Sequence, residues 1–303
     1  MQTYDNTYKL KFQELKQKSF IMSAFYQQNG QFKKANNIKY CGTNLIFKSC
    51  SNGDHTHLVG ANFCRERFCP MCAYRRQKKF YYSTLDIMNY ITTLGIFEYT
   101  FLTLTVKNVK AHQLGASLNM LSKSWDKFLK RRKIKALVKG FIKAVEITYN
   151  KESNEYHPHL HVVLVFDKEY YKQHYISHNN FMQLWKQCIN STYDPFVFIE
   201  KIENTAPGES VTEIVKYTCK WTDIVNNEVL RVFSSALRGK RCISYGGICK
   251  EVKAKLKIED IESKTANLTD NDLSVCPNCG ESLVYEVATW NFGANRYITE
   301  SLT

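Results

Sequence analysis

The sequence predicts an α+β protein in which an antiparallel sheet packs against helices, with small zinc-binding elements attached. Three observations carry this. Strand-like runs alternate with helical patterns, five of the 11 cysteines crowd into residues 41–72, and 44% of the 303 residues are hydrophobic, which suffices for a sizeable core.

Residues 1–40 are polar and aromatic without clean periodicity and read as an arm. From Met71 to Thr92 the pattern is that of an amphipathic helix, basic at its start. The run "EYTFLTLTVKN" is β-rich, residues 113–131 are helical, and "FIKAVEITYN" is a strand joined by the polar turn "KESN" to the strand "EYHPHLHVVLVF". A helix over 174–190, a strand at "FVFIEKIE", the loop "NTAPGES" and a helix over 211–221 follow. The order strand, helix, hairpin, helix, strand, helix suits a ferredoxin-like or RNA-recognition sandwich, an antiparallel sheet with helices on one face. The polar stretch "KAKLKIEDIESKTANLTDND" reads as a link to a C-terminal cysteine knuckle.

The formal charge is +14, with basic residues gathered in "CAYRRQKK" (including Arg75 and Arg76), "KSWDKFLKRRKIK" and "RGKR". Such runs point to a polyanionic partner, nucleic acid first, and 19 tyrosines with 18 phenylalanines suit stacking on unpaired bases. The N-terminus "MQTYDNTYKLKF" has no apolar signal region, and no stretch approaches the about 18 apolar residues of a membrane span. A cytosolic, membrane-free protein is therefore expected, and in that compartment clustered cysteines favour zinc over disulfides.

Side chains alternate along a strand, so His157, His159 and His161 share one face while Leu160, Val162 and Leu164 share the other. Three of the chain's 8 histidines on one strand face make a chelating surface. Glu146, on the strand paired through "KESN", is placed to add an oxygen ligand to His159 and His161, with His157 as a further ligand or a supporting group. Two imidazoles and a carboxylate leave open positions on a metal, as a Lewis acid gripping a phosphate requires. In "SVTEIVKYTCK", Glu213 and Tyr217 lie four apart on one helical face, which suits a tyrosine nucleophile and a general base, while Ser210 and Glu213 also match a capping box. Lys216 and Lys220 would attract a phosphate backbone.

Cys64, Cys69 and Cys72 in "CRERFCPMC" form a short thiol loop ending in a C-x-x-C turn, with Cys41 preferred as fourth ligand and Cys50 or His57 as substitutes. Cys276 and Cys279 in "CPNCG" form a second knuckle, with Cys242 and Cys249 or the first cluster as partners. Cys188 and Cys219 read as buried thiols in helices.

"FLTLTVKN", "HPHLHVVLVF" and "EIVKYTCK", in that order, resemble the three motifs of the HUH endonuclease superfamily. With "NFCRERFCPMC" they are most similar to the rolling-circle replication initiators of small Gram-positive plasmids, over about Cys41 to Gly247. The resemblance implies Mg²⁺ or Mn²⁺ on His159, His161 and Glu146, Tyr217 as nicking nucleophile, and Glu213 as the base for hydrolytic termination. It further implies a bacterial cytoplasmic enzyme that nicks one strand at a plasmid double-strand origin, single-stranded or cruciform at the nick, leaving a 5′-phosphotyrosine and a free 3′-OH. Host helicase and DNA polymerase become expected partners, and self-association is compatible with it. The expected organisation is an arm at 1–40, a zinc-binding segment at 41–80, the endonuclease domain at 81–250, and a linker with the CxxC knuckle at 251–303. The rivals are an HUH transposase or mobilisation relaxase, and a non-catalytic zinc-dependent DNA-binding protein; relaxases commonly place the tyrosine before the histidines, whereas Tyr217 follows them.

Overall fold

A computed structural model describes residues 4–50, 55–202, 221–270 and 274–302. In chain order these form α1 (Tyr4–Gln28), α2 (Phe32–Tyr40), β1 (Asn44–Cys50), β2 (Thr56–Ala61), α3 (Pro70–Thr93) and β3 (Phe97–Thr105). Next come α4 (Leu114–Leu129), α5 (Arg132–Leu137), β4 (Val138–Asn150), β5 (Glu155–Asp167), α6 (Tyr170–Gln173), α7 (His178–Cys188) and β6 (Val197–Ile202). The last are α8 (Asn227–Ala236), β7 (Ile243–Gly247), α9 (Ile248–Lys255), β8 (Leu283–Asn291) and β9 (Arg296–Leu302). The protein is α+β, with two antiparallel sheets among the described residues. It divides into two compact units, one of residues 1–76 with 263–303 and one of residues 77–262, the division falling within α3.

The first unit is built from both ends of the chain around a sheet of order β2-β1-β8-β9. Residues 4–40 form two helices. On α1 the buried positions Phe12, Leu15, Lys16, Ser19, Met22, Ser23 and Tyr26 follow helical spacing, but three of the seven are polar, which erases the hydrophobic periodicity in the sequence. Their polar groups are satisfied locally: Lys16 Nζ donates to the carbonyls of Lys39 (2.6 Å) and Cys41 (2.8 Å), Ser19 to Lys16 and Ser23 to Ala35. Strands β8 and β9, beyond the CxxC knuckle, extend the sheet begun by β1 and β2, with Cys50 opposite Leu283.

The second unit holds a five-stranded sheet of order β6-β3-β5-β4-β7. Helices cover both of its faces, not the single face expected. Val163 and Val165 of β5 pack with Phe80, Ile87 and Ile91 of α3 and Val252 of α9. Leu160, Val162, Leu164 and Phe166, on the opposite face, pack with Trp125 and Phe128 of α4 and Phe181 and Trp185 of α7. The reason lies in β5, whose apolar run "LHVVLVF" is buried at every position, and a strand apolar on both sides needs two layers over it. The β4–β5 hairpin turns at residues 151–154, where the Asn150 side-chain oxygen accepts from the backbone of Glu152 (2.9 Å) and Ser153 (3.1 Å) and Asn154 takes a left-handed φ of 49°. Helix α7 starts at His178 rather than 174 because Ser177 caps it, accepting from Asn180 N. The expected helix at 211–221 falls almost entirely outside the described residues.

Because both faces of β5 are core, Leu164→Ala should lower the unfolding free energy by about 2–5 kcal/mol. Ile96→Ala, at a position 57% exposed, should change it by less than about 0.5 kcal/mol. Urea unfolding of the two variants checks the contrast.

Candidate metal centre

Glu146 of β4 stands directly opposite His159 of β5, and Ala144 opposite His161, so the carboxylate lies on the sheet face that carries the histidines. That face continues into the apolar layer of Val163 and Val165. The site is thus the polar end of a buried surface, with Glu146 2% and His159 and His161 each 7% exposed. Glu146 Oε2 is 2.6 Å from His159 Nε2 and 2.7 Å from His161 Nε2, and the three ligand atoms lie within 4.8 Å of one another.

The protons on the rings follow from their outer contacts. His159 Nδ1 donates to the His157 carbonyl at 3.1 Å, which leaves the Nε2 lone pair of a neutral ring aimed at a carboxylate oxygen. Two acceptors at 2.6 Å repel unless a cation, proton or metal, is shared between them. Two imidazole nitrogens and one carboxylate oxygen, each held by neighbouring groups, form a donor set that fits a divalent metal with open positions. His161 Nδ1 is 3.1 Å from Thr103 Oγ1 on β3, and its ring stacks on Phe101 at 5.7 Å. His157 lies on the same face but outside the converging atoms; its Nδ1 meets Asn108 Oδ1 at 2.8 Å, and burial holds its pKa below the ordinary imidazole value. Thr103 and Asn108 belong to "FLTLTVKN". Alternation along β3 puts Thr103 on one face with Phe101 and Thr105, and the register of β3 with β5 sets it beside His161.

The structure brings Cys41, Cys64, Cys69 and Cys72 together, their sulfurs within 4.8 Å of one another. Backbone amides of Cys64 and Arg65 donate to the sulfurs of Cys41 (3.3 Å) and Cys72 (3.2 Å), as thiolates bound to a cation would require. Burial pushes the Cys41 and Cys69 thiols up, so a metal there would have to displace protons. Cys276 and Cys279 meet Cys50 and His55 in a second group. Cys249, by contrast, is buried in the apolar layer over β4 and β5.

Arg75 and Arg76 do not form the exposed DNA-facing pair expected of a basic helix start. They are 3% and 8% exposed. Arg75 Nε donates to the Leu268 carbonyl (2.6 Å) and Nη2 to Asp270 (2.7 Å), while Arg76 donates to the carbonyls of Arg65, Glu66 and Arg67. Those three carbonyls belong to the loop between Cys64 and Cys69, so Arg76 fastens the cysteine loop. The fork geometry of guanidinium suits such carbonyl clusters, and a charge match alone could not reveal the burial. The run at 123–135 does present exposed cations, Lys123, Lys127, Lys130, Arg132, Lys133 and Lys135, on and between α4 and α5. Tyr217, Glu213, Lys216 and Lys220 lie outside the described residues.

An antiparallel sheet bearing a buried carboxylate–imidazole group that could hold a metal ion, with cysteine groups and a strongly basic composition, suits a class of proteins that act on nucleic acid. Comparison narrows it. Residues 55–298 match the model of the Replication protein family Rep_1. A "Protein rep" of Streptococcus pneumoniae serotype 2 is 31% identical over 272 residues, spanning 87% of this chain and 83% of that relative. A "Protein rep" of Bacillus amyloliquefaciens is 32% identical over 291 residues (88% and 85%), and one of Lentilactobacillus hilgardii 31% over 295 (91% of each). No solved structure matches significantly. The chain belongs to the Rep_1 replication protein family, a group of Rep-type replication initiators. Among the described residues no helix is long and apolar enough to cross a membrane.

If Arg75 serves the fold, Arg75→Ala should destabilise the first unit by about 2 kcal/mol, the scale of lost charge-assisted hydrogen bonds. DNA affinity of the folded fraction should stay unchanged. Thermal melting and a binding titration at two salt concentrations separate this from a phosphate contact, whose loss would spare stability and flatten the salt slope.

Proposed function

We propose that this replication initiator nicks one strand of plasmid DNA at the double-strand origin through a tyrosine, in a reaction that depends on Mg²⁺ or Mn²⁺. The observation that supports it most directly is the convergence of His159 and His161 on the Glu146 carboxylate at 2.6 and 2.7 Å. Glu146, His159 and His161 would hold the ion, which when bound polarises the scissile phosphate and offsets its charge. Thr103, Phe101 and the His157 carbonyl orient the two rings, so the donor set is rigid before DNA arrives.

Tyr217 is the nucleophile of this reading. Its hydroxyl oxygen attacks phosphorus, the bond to the 3′ oxygen breaks, and the products are a 5′-phosphotyrosine and a free 3′-OH that takes up a proton. The ester conserves the energy of the broken bond, so a later 3′-OH can attack it and religate the strand. Glu213, four residues before Tyr217, takes a proton from water for the second cleavage, which ends the cycle by hydrolysis. Lys216 and Lys220, with the exposed cations of α4 and α5, contact phosphates. Zinc held by Cys41, Cys64, Cys69 and Cys72 is structural, a four-sulfur set with no open position. Host DNA polymerase then extends the 3′-OH in the bacterial cytoplasm while a host helicase opens the duplex ahead of it.

His159→Ala with His161→Ala should abolish nicking of supercoiled origin plasmid in Mg²⁺ while the melting temperature falls little; undiminished cleavage in EDTA would remove the metal assignment. Tyr217→Phe should bind origin DNA normally and form no covalent adduct on a denaturing gel. Glu213→Ala should nick at the normal rate yet terminate about 10² to 10⁴ times more slowly, read as products longer than one plasmid length. A Glu213→Ala protein that melts early and terminates normally when folded would assign Glu213 to its helix cap instead.

A further inference from the structure

The second cysteine group is built from two widely separated segments, each giving two ligands. Cys50 ends β1, His55 precedes β2, and Cys276 and Cys279 precede β8, which pairs with β1 so that Cys50 faces Leu283. Cys50 Sγ is 3.4 Å from Cys279 Sγ and 3.7 Å from His55 Nδ1, and the four ligand atoms lie within 4.8 Å of one another. The C-x-x-C turn is shaped as a metal knuckle: backbone N–H groups of Asn278 and Cys279 donate to the Cys276 sulfur, Gly280 takes a φ of 75°, and its N–H closes the turn on the Cys276 carbonyl at 2.8 Å. His57 Nε2 approaches the Cys276 sulfur from outside the group at 3.6 Å.

We infer that Cys50, His55, Cys276 and Cys279 form a second, independent Cys₃His zinc site that clips the β1–β2 hairpin to the C-terminal strands. Three sulfurs and one imidazole at mutual tetrahedral-edge distances are a closed zinc donor set. A disulfide is the competing use of the close Cys50–Cys279 pair, but it would leave the knuckle sulfur of Cys276 and the imidazole of His55 without a purpose. The site also joins residues far apart in sequence, with the whole 77–262 unit inserted between its ligands, and closure of so long a loop is where a clip stabilises most. His57 is a positioning residue that donates to the Cys276 thiolate.

Metal analysis of the full-length protein purified under reducing conditions tests it. Wild type should contain two zinc ions per chain, Cys279→Ser one, and His55→Cys two. After cobalt substitution His55→Cys should raise the thiolate charge-transfer absorption by one added sulfur. Limited proteolysis of Cys279→Ser should release the β8–β9 segment faster than from wild type. A zinc content in Cys279→Ser equal to that of wild type, or a Cys50–Cys279 disulfide found by mass spectrometry, would overturn the site; one zinc in wild type that Cys279→Ser loses would support it and remove zinc from the first group instead. Should Cys279→Ser not fold, the decision falls to His55→Cys, whose unchanged cobalt absorption would exclude His55, and to His57→Ala, whose loss of one zinc would transfer the ligand role there.

Discussion

The register of the β4–β5 hairpin is the constraint on which the metal centre depends. Glu146 reaches both imidazoles because it stands opposite His159, and slipping either strand by one residue would send its side chains to the other face. The apolar residues of β5 prevent the slip. Val163 and Val165 are committed to one layer and Leu160, Val162, Leu164 and Phe166 to the other, so a shifted register would exchange two packed cores at once. The buried Glu146 carboxylate is met by two imidazole nitrogens, a donor set that a shared cation would complete.

The first unit solves a different problem. Beside an apolar core that includes Phe12, Leu15, Phe47, Leu58 and Trp290, the core position Lys16 is polar, and the unit also closes through specific polar contacts and cysteine groups. Lys16 satisfies two carbonyls next to Cys41, and Arg76 ties down three in the loop that carries Cys64 and Cys69. The left-handed φ of 58° at Arg65 sits inside that loop, where the Arg76 guanidinium holds its carbonyl. Positive charge near the sulfurs also complements a four-thiolate zinc, which would carry net negative charge.

These two kinds of metal-binding group divide the work by ligand chemistry. Thiolate sets would close around a soft or borderline ion, while the nitrogen and oxygen set would suit a harder, exchangeable one. The strand nicking proposed above would require both a fold that survives handling a polyanion and a site that can open to it. The basic face of α4 and α5 adds long-range attraction without base specificity.

Strong local patterns were readable from the sequence. Period-two spacing aligned His159 with His161, a four-residue polar turn implied the hairpin that brings in Glu146, the C-x-x-C spacings marked cysteine turns, and helix and strand order indicated an α+β protein. Each of these is encoded within about a dozen residues, where backbone periodicity alone determines which side chains share a face. The helix at 4–28 was not readable, because lysine and serine occupy part of its buried face, and neither were the short α2, the second layer over the sheet, the burial of Arg75 and Arg76, or strands β8 and β9. The partners of Cys276 and Cys279 escaped for a related reason: Cys50 lies at the far end of the chain, and only the pairing of β1 with β8 makes them neighbours. Local periodicity determined the elements and the chelating face; which distant surfaces met, and therefore which charges were buried and which thiols converged, was decided by tertiary packing, since burial is a property of the assembled layers and not of any one segment.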